Sequence, residues 1–176
     1  MENRLEFGRT PLENEYMSKS LNRVRAALSA AGMPETIRET ADARTAQDAA
    51  TAIGCCVDQI AKSIVFAEAQ SGRAVLFLTA GGNSVDLSVA ATLAGAPLGK
   101  ADATLVRAQT GFAIGGVSPV GHLNPIRTFI DPRLVEFAEI WAAAGTPRHV
   151  FAISPADLVR ITGGQVTDFT QFKKIM

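Results

Sequence analysis

Between Ile60 and Gly82 the chain reads IAKSIVFAEAQSGRAVLFLTAGG, and no other stretch narrows the fold as far. β-Branched and aromatic residues crowd two arms around a QSGR turn, which predicts a hairpin of two strands. Helical signals flank it on both sides. Leu21, Val24, Leu28 and Ala31 recur at helical spacing behind a start at Ser18 or Ser20, and Gly32 followed by Met33-Pro34 stops that helix. Thr45 and Asp48 have the spacing of a capping box ahead of AQDAATAI, which Gly54 closes. DLSVAATLAG, ADATLVRAQTG and SPADLVRITGG predict further helices, and Asp131-Pro132 is a helix start with Asp as cap. TIRET, IRTFI, EIWAAAG and HVFAI are strand candidates. Strands and helices mix without strict βαβ alternation, so the predicted class is α+β rather than a doubly wound parallel sheet.

The 176 residues suit one domain, and 47% hydrophobic content supplies its core. Seventeen Lys plus Arg balance seventeen Asp plus Glu, which excludes a general polyanion binder. A nucleic acid would have to be met through a local patch or a pocket. Cys55 and Cys56 are adjacent and cannot staple distant segments; with only His122 and His149 beside them, no zinc spacing exists. They read as reduced, packed thiols at a helix junction, and no metal or cofactor is expected. No segment approaches the ~18 apolar residues of a membrane span. Residues 1–16 read as a polar, poorly ordered leader, 17–170 as the domain and 171–176 as a tail, in a cytoplasmic protein.

The stretch GFAIGGVSPVGH, Gly111 to His122, gathers glycines around one serine and one histidine. It lacks the G-x-G-x-x-G fingerprint and a Walker-type lysine, and Ser118 stands one residue too far from Gly121 for a nucleophile elbow. Glycine freedom, with Pro119 biasing Ser118 to extended geometry, could align successive N–H groups toward a carbonyl or oxyanion. The same composition would serve a tight helix-to-strand connection. Lys62 is the odd residue of its strand, sharing a face with Ile60, Ile64 and Phe66. Either it snorkels from a strand end, or its ammonium enters a partly apolar pocket to bind a phosphate or polarise an ester.

QIAKSIVF, GFAIGGVSPVGH and FIDPRLVEFAEIWAAAG, in that order, resemble the YbaK/ProX family of prolyl-tRNA editing-like domains. The most specific match is a G-x-x-x-P loop, Gly115 and Pro119, joined to the upstream strand lysine Lys62, with Asp131 and the small turn Ala142 to Gly145 in support. The resemblance implies a single α+β domain whose curved mixed sheet, flanked by helices, surrounds a substrate pocket. It implies hydrolysis of the ester of mischarged tRNA, tRNA for proline carrying a small residue such as alanine or cysteine, with help from the substrate's own ribose hydroxyl. Lys62 would engage the terminal nucleotide or the ester, and the Gly115 to Pro119 backbone would position the carbonyl. Ser63, Gly116, Val117, Ser118, His122 and Asp131 would line or brace the pocket, His122 at its edge or as a base. Lys62, Arg127 and one face of the first helix would supply local cations for the tRNA 3′ end, with a synthetase or elongation factor delivering it. A non-catalytic tRNA-end module and a small-molecule esterase or thioesterase are the alternatives.

Overall fold

The hairpin is the centre of an eight-stranded mixed sheet in the computed structural model, which describes residues 10–41 and 43–171. The strands are β1 (Arg38–Glu39), β2 (Ile60–Glu68), β3 (Ala74–Ala80), β4 (Leu98–Lys100), β5 (Arg127–Ile130), β6 (Ile140–Ala143), β7 (His149–Ile153) and β8 (Gln165–Val166). Their order is β1-β7-β6-β2-β3-β5-β8, with β4 also on β2. β2 and β3 pair antiparallel from Ala61–Ala80 to Ala67–Ala74, whereas β2–β6, β3–β5 and β5–β8 are parallel. The helices are α1 (Pro11–Ala30), α2 (Ala46–Ile53), α3 (Leu87–Ala94), α4 (Ala103–Thr110), α5 (Pro132–Val135) and α6 (Pro155–Thr162). The result is the expected α+β domain with an open mixed sheet flanked by helices.

Alternation along β2 sends its residues into different cores. Ala61, Val65 and Ala67 face a large cluster with Leu76 and Leu78 of β3, covered by Val24 and Leu28 of α1, Val106 of α4 and Leu158 of α6. The opposite face carries two smaller clusters. Ile60 packs with Trp141 and with Ala49 and Ala50 of α2, while Ile64 and Phe66 pack with Phe77, Phe129, Phe169 and Ala90 of α3. Lys62 falls between Ile60 and Ile64, at the seam where one cover ends and the next begins. That position explains a charged residue inside an apolar strand.

Several boundaries differ from expectation. The leader is helical from Pro11: the Thr10 hydroxyl accepts from Glu13 N and the Glu13 carboxylate accepts from Thr10 N, a capping box with proline in the first turn. The rest of the expected leader, residues 1–9, lies outside the described residues. TIRET contributes only Arg38–Glu39, because β7 offers a partner to just those two residues. β4 and β8 were not expected; strands of three and two residues carry too little periodicity to stand out. Cys55 is half-buried as expected at the end of α2, but Cys56 is exposed, since it caps a single 3-10 turn at Val57–Gln59.

Candidate active site

The site lies where pairing along one edge of β2 stops. β2 pairs with β6 at Ile60 and Ala61, and with β4 from Phe66 to Glu68, but with neither at residues 62–65. A cavity of about 600 Å³ opens against that stretch. Lys62, Ser63 and Ile64 form one wall, Gly115 and Val117 another, and Arg44, Ala46 and Thr146 stand among the remaining lining. Glu68 N bonds Arg73 O across the hairpin and Ala69 N bonds Pro97 O on the other side, so odd-numbered residues turn their N–H and C=O away from β3. Ser63 and Val65 therefore present main-chain groups to the unpaired stretch. Ser63 Oγ is buried with no hydrogen-bond partner among the described residues. A wall with buried polar groups in want of partners suits a polar ligand.

The glycine-rich segment builds the second wall. Gly111 ends α4 in a left-handed conformation, and Leu123 N bonds back to Thr110 O at 3.2 Å, so the segment leaves and re-enters the fold at one place. Its tip is the turn Ala113–Gly116, closed by Gly116 N to Ala113 O at 3.0 Å, with Gly115 at φ 92° as the third position of a type II turn requires. Gly116 sits so close to the β6–β7 turn that a Cβ there would lie 2.8 Å from the Thr146 backbone. In the returning limb Val120 N bonds Ser118 Oγ, and His122 Nε2 donates to Ser118 O at 2.6 Å. Burial holds the His122 imidazole below its usual pKa despite that bond, and the nearby Arg23 charge adds to the effect.

Lys62 is held rather than adrift. Its Nζ donates to Asn83 O at 2.6 Å, in the loop after β3. Asn83 is fixed in turn: its N bonds Ala80 O, and its Nδ2 donates to Asp131 Oδ2 at 2.9 Å. The same Oδ2 accepts from Ala80 N at 3.0 Å, while Oδ1 accepts from Arg133 N at the start of α5. Gly82 N adds a bond to Asp58 Oδ1, and Asp58 Oδ2 pairs with Arg133 Nε at 3.0 Å. Two carboxylates thus fix the loop that anchors the lysine.

Residues 40–161 match the aminoacyl-tRNA editing domain family. The chain belongs to that family. The uncharacterized protein YwhH of Bacillus subtilis (strain 168) is 28% identical over 128 residues, 73% of this chain and 80% of YwhH. A structure solved for a protein proposed as a trans-editing enzyme for prolyl-tRNA synthetase is 42% identical, with a TM-score of 0.82 over 94% of this chain and 100% of that one. A scaffold used for epitope grafting by computational design is 44% identical, with a TM-score of 0.81 over 87% of this chain and 97% of its own.

Within this editing domain, Lys62, Ser63, Gly115 and Val117 are the expected site residues that share the cavity. Gly116, Ser118 and Pro119 are buried behind it, and the Gly116 N–H is already used in the turn. His122 packs edge-on to Phe112 behind the loop, and Asp131 braces the Lys62 anchor from beneath β3. Arg127 does not line the cavity: it donates to Ala94 O and Leu93 O at the end of α3 and stacks on Phe129. On α1, Lys19 pairs with Glu15, and Arg23 turns inward. Arg44 lines the cavity instead, and the histidine that lines it is His149, whose Nδ1 meets Thr146 Oγ1 at 2.7 Å. Neither stood out in sequence, because each acquires its place only through the pairing of β1, β6 and β7. Among the described residues no group of three or more His, Cys, Asp or Glu side chains gathers as a metal site, and no helix is long and apolar enough to cross a membrane.

Proposed function

We propose that the protein is a free-standing aminoacyl-tRNA deacylase of the cytoplasm. It hydrolyses the ester of tRNA for proline charged with a small non-cognate residue such as alanine or cysteine, delivered by a synthetase or elongation factor. The observation that carries this reading is that Lys62, Gly115 and Val117 line one cavity in a chain of the editing-domain family. A volume of about 600 Å³ suits a terminal aminoacyl nucleotide and is far too small for a duplex. A chain with no net charge then needs only local cations, Lys62 within and Arg44 beside the cavity.

An aminoacyl ester is already activated, so fixing it beside a water and stabilising the developing negative charge accounts for the chemistry. Water oxygen bonds to the carbonyl carbon, the bond to the ribose oxygen breaks, and that oxygen leaves as a hydroxyl, giving free amino acid and tRNA. The Lys62 ammonium, held by Asn83 O, supplies a fixed positive charge to the phosphate or the ester. The turn at Gly115 aims main chain at the carbonyl, and the substrate's ribose hydroxyl serves as proton carrier.

The test is a panel of charged tRNAs. Alanine-charged or cysteine-charged tRNA for proline should be cleared well above the spontaneous rate while proline-charged tRNA is spared, and Lys62→Ala should abolish the difference. Clearance of none of them rejects the enzyme, and full activity in Lys62→Ala rejects the site.

A further inference from the structure

The residue that fixes the glycine-rich wall comes from α1, outside the segment that matches the editing family. By spacing, Arg23 stands one turn from Lys19 on a solvated helix face. In the fold it points inward. Its Nε donates to Gly121 O at 3.0 Å, its Nη2 donates to Gly111 O, and its guanidinium stacks on the buried Phe112 ring at 4.6 Å. Gly111 and Gly121 are the two ends of the loop whose tip is Gly115. One planar fork therefore ties both ends at once, a geometry that lysine cannot reproduce. The other ties between these limbs are longer, Leu123 N to Thr110 O at 3.2 Å and Asn124 N to Gln109 O at 3.3 Å.

Contact continues along the helix. A Cβ on Gly121 would lie 3.2 Å from Arg23 O, so the loop rests directly on the α1 backbone. A Cβ on Gly145 would lie 2.8 Å from Ser20 O, which places the same helix behind the turn that carries Thr146. Tyr16 Oη adds a second donor to Gly111 O at 2.8 Å. α1 thus backs the walls of the cavity that face Lys62.

The geometry points to Arg23 as a positioning residue: by clamping both ends of the loop it sets where Gly115 and Val117 stand against the substrate, although it does not itself line the cavity. This rests on the deacylase reading for its rate effect, but the clamp has a readout of its own. In the full chain, Arg23→Ala should speed amide hydrogen exchange through Ile114–Val120 and leave β3 protected. In single-turnover deacylation of alanine-charged tRNA for proline, a shift near 1 Å at the loop predicts a rate constant lowered about 10- to 100-fold, with half-saturation changed less than about twofold. Arg23→Lys, which keeps the charge but not the planar fork, falls between, and millimolar guanidinium should partly restore Arg23→Ala. Val75→Ala is the control, because Val75 is buried in the separate Phe77–Phe129 cluster and its loss lowers stability without touching the loop. Unchanged loop exchange in Arg23→Ala overturns the clamp. Faster exchange with a wild-type rate overturns the positioning role, as does an equal rate loss in Val75→Ala at equal loss of stability. Should the wild-type chain clear no charged tRNA, the deacylase reading falls, and exchange alone decides the clamp.

Discussion

Asp131 is the residue whose replacement most directly probes how the lysine is held. It is 2% exposed and accepts three hydrogen bonds, from Ala80 N, Asn83 Nδ2 and Arg133 N. In Asp131→Ala these donors lose their acceptor, and a buried orphan costs about 1–3 kcal/mol. Arg133 N, at the first turn of α5, can turn to water; Ala80 N, inside the sheet, cannot. Counting Ala80 and Asn83 gives a loss of about 2–6 kcal/mol, against about 5–15 kcal/mol for a whole domain. At about 2–4 °C per kcal/mol for this chain length, Tm should fall by about 4–24 °C. Asp131→Asn is the sharper probe. Its amide NH₂ must replace either Oδ2, where it faces two donors, or Oδ1, where it faces Arg133 N. With the NH₂ at Oδ1 the amide oxygen still accepts from Ala80 N and Asn83 Nδ2, and only Arg133 N, which can turn to water, loses its acceptor, so Asn should recover most of the loss in Ala. Urea and thermal unfolding of both variants measure this, and deacylation below Tm should be slowed more in Asp131→Ala, where Asn83 loosens its hold on Lys62. An Asp131→Asn protein no more stable than Asp131→Ala would refute the reasoning.

Lys62→Met keeps the stem and removes the charge; single-turnover deacylation should drop about 10²–10³-fold while the thermal midpoint stays near wild type. Gly116→Ala places a methyl 2.8 Å from Thr146 backbone, where carbon contacts ordinarily sit at about 3.5–4.0 Å, so the loop must move. Its rate should fall at least about tenfold, while Gly99→Ala, where a methyl meets open space, changes neither rate nor stability. His122 is held below the usual imidazole pKa by burial, so the unfolded chain takes up the proton first as pH falls. Its contribution to stability is complete above about pH 6.5 and is lost below it, toward the folded-state value. His122→Gln, whose amide still donates to Ser118 O, should flatten the stability profile from about pH 7 to 5 in urea titrations; an unchanged slope would exclude His122 as its source.

The elements legible in sequence are those with local causes. The hairpin, the capping boxes and the Asp131-Pro132 start rest on patterns of a few adjacent residues, and each forms where its chemistry placed it. The start of α1 was equally local, since Thr10, Pro11 and Glu13 spell a capping box, but the polar residues around it hid the signal. Arg23 and Arg127 illustrate what sequence cannot carry. Both read as surface cations, and both are spent on backbone carbonyls that become neighbours only after folding, at Gly111 and Gly121 for one and at Leu93 and Ala94 for the other. Ser118 and His122 looked catalytic because they stand only four residues apart in the chain. In the fold they satisfy one another's limb of the loop, and the cavity exposes His149 in their place.

The position of the site follows from strand pairing more than from the motif itself. β6 leaves β2 after Ala61 and β4 joins it only at Phe66, so the strand is bare at the residues where the covers on its outer face change from α2 to α3. Those two interruptions coincide at Lys62. A lysine in a continuous stretch of either cover would face full desolvation of its ammonium, and a hydrophobic residue at the seam would face the cavity. The place inside β2 that keeps a charge is thus the place where the sheet leaves room for a ligand. The glycine loop completes the site because α1 and the β6–β7 turn press it against the same opening. Motif and opening are separate requirements, met by different segments, which is why neither the lysine nor the loop was decisive alone.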